Sequence, residues 1–189
     1  SSGNTATGTA TTSTGYVRNI FLNQDGAGYT VTPTVSISTA PGGGTNATAV
    51  AITTSINNVH SVKEILLTNA GAGYTVTPTV TIVSAATTAT NGVTTYHGVG
   101  AAATATLVTS SAGLKTIGFT TSGTTYTSAP VITIAGATGV GTASVRGVVS
   151  AAGTVTNAYI IDAGIGYTTA SVTFAAPGSA GVGTYQFNE

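Results

Sequence analysis

Gly71-Ala72-Gly73-Tyr74-Thr75-Val76-Thr77-Pro78-Thr79-Val80-Thr81-Ile82 places a glycine turn ahead of a tyrosine and then alternates apolar with hydroxyl side chains. The alternation is that of a strand with one buried and one solvated face. The same stretch occurs three more times, around Tyr29, Tyr126 and Tyr167, at spacings of 45, 52 and 41 residues. A recurrence of this kind marks a repeat architecture in which each copy is one supersecondary unit.

Upstream of each tyrosine the register holds without gaps. Twelve residues before it stand Val17, Val62, Leu114 and Val155; nine before it, Ile20, Ile65, Ile117 and Ala158; seven before it, Leu22, Leu67, Phe119 and Ile160. The last two rows are two residues apart, so they share one face of a strand. Downstream, Val35/Ile37, Val80/Ile82 and Ile132/Ile134 repeat the pattern, and the fourth copy, which lacks the proline, offers Val172 and Phe174.

The turn residues are Gly26, Gly28 and Tyr29; Gly71, Gly73 and Tyr74; Gly123 and Tyr126, with Thr125 in place of the second glycine; and Gly164, Gly166 and Tyr167. The first glycine of each set is expected at positive φ. Each ring is expected to close the apolar layer while its hydroxyl reaches the backbone. Every unit then runs through a Gly/Ala/Ser loop into a third, small-residue stretch: 47–56, 101–108, 142–149 and 183–187.

This organisation predicts an all-β chain with four repeats of about three mostly antiparallel strands, arranged as a sandwich-like array of small sheets, with a four-bladed propeller as the alternative. The segments are an N-terminal arm (1–14), repeat 1 (15–58), repeat 2 (59–112) with an insertion at 84–100, repeat 3 (113–152) and repeat 4 (153–189). Gly8 to Thr14 resembles a third stretch without a unit of its own. It either joins the chain's own sheet or pairs across a subunit boundary.

Composition narrows the function. Charged residues are 4% of the 189, four of each sign, and the net charge is zero. Without a basic stripe, nucleic-acid binding loses its main electrostatic contribution. No apolar run approaches the roughly 18–20 residues of a membrane-spanning helix, so no membrane insertion is expected. Cysteine is absent, which removes disulfides and thiolate chemistry, and no signal peptide is read in Ser1-Ser2-Gly3. A nearly uncharged surface suits a protein held within an assembly, because a free monomer would lack charge repulsion.

No catalytic constellation is read, so the chain is expected not to be an enzyme and to take no cofactor or metal. Asp25 and Asp162 lie near the turn but one position out of register, as turn-capping side chains do. Lys63, Glu64 and Lys115 read as solvated edge charges, and Arg18 and Arg146 as isolated cations. Gly26-Ala-Gly28 and Gly42-Gly-Gly-Thr45 open no helix and precede no lysine, so they are not phosphate loops. The candidate binding residues are Tyr96 and His97 in the insertion and Tyr185 near the C-terminus, aromatics that break the repeat and suit stacking on a sugar.

The units resemble Gly-x-Gly-Tyr-Thr-x-x-Pro-x-Val-x-Ile repeats of structural proteins of tailed bacteriophages, marine and cyanobacterial ones among them, and of large bacterial surface proteins. The matching residues are Gly26 to Ile37, Gly71 to Ile82, Gly123 to Ile134 and Gly164 to Phe174. The resemblance implies a virion component such as a tail, fibre or capsid-decorating protein, and brings no catalytic residue with it. Its expected partners are copies of itself and other proteins of the assembly. The alternative is an extracellular, cell-surface adhesin or carbohydrate-binding module that takes a glycan.

Overall fold

The computed structural model describes residues 6–29, 31–56, 59–84, 86–88, 94–96, 99–138 and 141–178. The chain is all-β, with several small antiparallel sheets, none closed into a barrel, stacked as a sandwich-like array. Unit 1 contains β2 (Tyr16–Ala27), β3 (Thr34–Ile37) and β4 (Thr48–Ile56). Unit 2 contains β5 (Val59–Asn69), β6 (Val80–Val83), the insertion hairpin of β7 (Ala86–Thr88) and β8 (Thr94–Tyr96), and β9 (Val99–Val108). Unit 3 contains β10 (Gly113–Thr121), β11 (Ile132–Ala137) and β12 (Ser144–Val149); unit 4 contains β13 (Val155–Asp162) and β14 (Tyr167–Phe174). The N-terminal arm forms β1 (Thr7–Ser13).

Apart from the small β7–β8 hairpin, every sheet joins strands of different units. In the first half, β4 of unit 1 pairs with β5 of unit 2, β9 of unit 2 returns to β2 of unit 1, and β3 pairs with β6. The second half repeats the scheme: β12 pairs with β13 and β11 with β14. The edge of β10, equivalent to the β2 edge that β9 fills, is taken by β1, which pairs antiparallel with β10 from Thr7↔Thr121 to Ser13↔Gly113. The arm therefore joins its own chain's sheet.

The halves meet about a pseudo-two-fold. Leu67 of β5 pairs with Ile160 of β13, each seven residues before its tyrosine. Four backbone bonds form a closed circuit through all four units. The Val17 amide donates to the Ala70 carbonyl (2.9 Å), Ala70 to Lys115 (2.9 Å), Leu114 to Ala163 (2.8 Å) and Ala163 to Arg18 (2.8 Å). The first and third bonds are equivalent under the pseudo-two-fold, as are the second and fourth.

The row twelve residues before each tyrosine is buried throughout, and the other two rows in part, with Leu22, Ile117, Phe119 and Ala158 only half-buried. Val17, Val62, Leu114 and Val155 are all at most 1% exposed. Ile20, Ile65, Leu67 and Ile160 are buried beside them. A smaller cluster of Ala6, Tyr126, Val155 and Phe174 lies beneath β1, where the Phe119 and Phe174 rings meet at a tilt of 42° with their centres 5.5 Å apart. Full burial of one such aliphatic side chain contributes about 1.5–3 kcal/mol, so these rows account for why the register is single.

Two readings of charge are corrected. Glu64 is not a solvated edge charge: its carboxylate takes both Nη atoms of Arg146, at 2.6 and 3.2 Å. Arg18 is likewise paired, its Nε 2.8 Å from Asp162 Oδ1. Each pair joins the first half to the second. Glu64 lies on β5 and Arg146 on β12, with β13 between them, and only the β5–β13 contact brings those strands into one sheet.

Candidate functional site

The four tyrosines act on backbone. Each hydroxyl accepts the amide of the alanine that leads into the third stretch paired with its unit. The pairs are Ala101 N to Tyr29 (3.3 Å), Ala47 N to Tyr74 (2.9 Å), Ala6 N to Tyr126 (2.9 Å) and Ala143 N to Tyr167 (2.7 Å). Tyr74 and Tyr126 also donate, to the Ser38 and Ala175 carbonyls. All four rings are at most 5% exposed. The tyrosine thus clamps the start of a strand supplied by another unit.

The first turn glycines have φ of 63° (Gly26), 75° (Gly71), 64° (Gly123) and 65° (Gly164). At Gly71 a Cβ would also lie 2.8 Å from the Thr45 carbonyl oxygen and the Ala47 amide, the backbone of the clamped strand. Only glycine meets both demands. Thr125 holds φ of 66° where the other units have a second glycine, a conformation that costs a non-glycine residue about 1–2 kcal/mol.

Between the halves, Tyr16 is wholly buried and donates its hydroxyl to the Gly164 carbonyl. Burial pushes its phenol up to about 12, against the opposing influence of Arg18. The pseudo-equivalent position is Gly113, where a Cβ would overlap the Tyr16 ring. One tyrosine therefore fills the space both halves share. Asp162 holds the Arg18 guanidinium above its usual range by hydrogen bonding and also accepts the Gly164 amide at 2.7 Å. Asn69 caps Gly71 in the same way at 2.8 Å. Both act as turn-capping side chains.

Two shallow grooves open at one end of the molecule, related by the same pseudo-symmetry. One, of about 670 Å³, is bordered by Ser111, Ala112, Gly166 and Thr168; the other, of about 410 Å³, by Gly15, Gly73, Thr75 and Thr109. Both reach Thr14. Among the described residues, no His, Asp, Glu, Lys or Arg lines either groove. Among the described residues, no cluster of three His, Cys, Asp or Glu side chains is present, and no helix is long and apolar enough to cross a membrane.

Of the residues singled out in the sequence, His97 and Tyr185 lie outside the described residues. Tyr96 ends β8, paired with Ala86 in the insertion hairpin. The grooves were not legible in the sequence, because no single unit forms one. Each arises where the link preceding a first strand passes a turn of another unit. Comparison of the chain with protein-family models, curated proteins and solved structures finds no match.

Proposed function

We propose that this chain is a non-enzymatic structural protein of a repeating assembly, a virion component such as a tail, fibre or capsid-decorating protein. The observation that carries the reading is where the charge lies. Among the described residues, Arg18, Glu64, Arg146 and Asp162 are tied up in two ion pairs between the halves. The outer strand faces present hydroxyls, as in Thr34, Ser36, Thr81, Thr133, Ser171 and Thr173, with exposed Phe21, Val31, Val76, Val83 and Val131 among them. Such a surface has little charge repulsion to keep copies apart, and its hydroxyls hydrogen-bond equally well to water and to a neighbouring chain. Light scattering after size exclusion, with electron microscopy of the same fractions, tests the reading. A large homo-oligomer or filament is expected, and a monomer at every concentration overturns it.

The two hydroxyl-lined grooves favour a second reading, a carbohydrate-binding module at a cell surface. Its test is a glycan array followed by Thr14→Val, which removes a hydroxyl common to both grooves. Unchanged glycan binding in that variant places any sugar site elsewhere.

A further inference from the structure

The four-stranded sheet β12-β13-β5-β4 has two faces, and the core takes one of them. Leu67 and Ile160, paired across β5 and β13, point into the core with Ala49, Ala51 and Val145. Alternation along each strand sends the neighbours of these residues to the opposite face. There Val50 pairs with Leu66, Ile52 with Glu64, and Arg146 with Tyr159, and directly paired residues share a face. Val148 and Ile161 stand two residues beyond Arg146 and Tyr159 and join them. The Arg146–Glu64 bond, which crosses β13, requires the same arrangement.

This second face is apolar apart from one ion pair. Val50, Ile52, Leu66, Val148, Tyr159 and Ile161 belong to neither core cluster. Leu66 is 1% exposed, and the other five are half-buried. Glu64 and Arg146 lie among them, each side chain 27% exposed. The pseudo-two-fold relates Leu66 to Tyr159 and Ile52 to Val148, so both halves contribute alike. The outer faces of β3 and β11 carry Thr34, Ser36 and Thr133 instead. A contiguous apolar face of this kind marks an interaction site.

Going beyond the assembly reading, we infer that the outer face of the four-stranded sheet is the interface of a two-fold dimer, packed sheet on sheet against a second copy. The charges decide the occupant. The face carries one acid and one base already paired with each other, so a covering copy strands no charge. A two-fold axis along the strands, between β5 and β13, lays the Glu64 carboxylate of each copy beside the Arg146 guanidinium of the other. Two ion pairs thereby become four alternating charges, and the patch is complementary to itself, as a two-fold contact requires. A partner with net charge finds no such complement, because the charges on the face cancel. Sheets stacked in this way lie about 10 Å apart, which lets their apolar side chains interdigitate.

The chain has no cysteine, so one introduced thiol reports the contact. Ile161→Cys stands close to the proposed axis and is expected to give a disulfide-linked homodimer on oxidation, faster than Thr133→Cys on an outer hydroxyl face. Ile52→Lys puts a charge into the contact and is expected to weaken dimerisation about tenfold or more in light scattering after size exclusion. Charge exchange tests the pairing itself. Glu64→Arg leaves two cations on the face and Arg146→Glu two anions, so each chain alone is expected to stay monomeric and the mixture to form a heterodimer. Should either variant fail to fold, the Ile161→Cys and Ile52→Lys measurements decide. Cross-linking no faster at position 161 than at 133, or association unchanged by Ile52→Lys, overturns this interface and leaves the assembly reading standing. A dimer that never grows larger supports the interface and overturns the assembly reading. A wild-type chain that is monomeric at every concentration overturns both.

Discussion

The two halves of the molecule follow one plan and differ at four places that bear on their packing. Units 1 and 2 interlock through β2–β9, β4–β5 and β3–β6; units 3 and 4 repeat the second and third of these pairings and take the first from the N-terminal arm. On the shared axis, one half supplies Tyr16 and the other Gly113. At the turn before the tyrosine, the first half has Gly28 and the second Thr125. The first-half turn at Asn69 faces a lysine strand, where the second-half turn at Asp162 faces an arginine. The circuit of backbone bonds tolerates all these differences, which shows that the plan is carried by main chain and by the apolar rows. Side chains are free to differ where the halves need only one of something, as with the single ring that fits the axis.

The largest effect is expected from removing the asymmetry at the axis. Gly113→Ala inserts a methyl into the Tyr16 ring and is expected to cost about 3 kcal/mol, the upper end of the ordinary overpacking range. Urea denaturation measures it, and a loss no larger than that of an exposed strand substitution would mean that the halves are not packed on that ring.

Next comes the pH response of Tyr16 itself. Its phenol is raised in the folded chain, so the unfolded chain ionises first. The stabilisation is complete below pH 10 and is lost as pH rises toward 12. With about 1.4 kcal/mol for each unit, this alkaline limb amounts to about 3 kcal/mol. Tyr16→Phe is expected to flatten that limb, and unfolding of the two chains followed from pH 8 to 12 checks it.

The turn difference predicts a reciprocal pair. Thr125→Gly relieves the positive φ and is expected to gain about 1 kcal/mol, and Gly28→Thr to lose about as much. Thermal unfolding of both variants checks the sign, and equal signs would show that φ does not decide the difference. The smallest effect concerns charge. Asn69→Asp makes the first half resemble the second, where Asp162 meets Arg18, and sets a carboxylate near Lys115. A gain of about 0.5 kcal/mol is expected, vanishing in molar salt as exposed pairs do.

Much of the local structure was legible because it depends on neighbours in sequence. The strand rows around Ile65 and Leu67, the glycine at position 71 and the strand after Pro78 follow from alternation and from the conformational range of one residue. The tyrosine clamp was half legible. Burial of the ring and a backbone partner for the hydroxyl follow from a repeated aromatic, but the partner alanine lies in another unit, 27 residues away for Ala47 and Tyr74 and 120 for Ala6 and Tyr126. The grooves and the Glu64–Arg146 pair were not legible, since no periodicity relates the residues that form them.

By itself the sequence determined four tyrosine-centred β units, their inner and outer faces, and a surface almost without charge, because each depends on pattern and composition within a short window. Only the tertiary structure decided which unit supplies each strand, that β1 closes the set on β10, and that Arg18 and Arg146 have partners. Backbone edges are chemically alike, so local pattern cannot choose among them. That choice depends on the chain closing its hydrogen bonds through all four units at once.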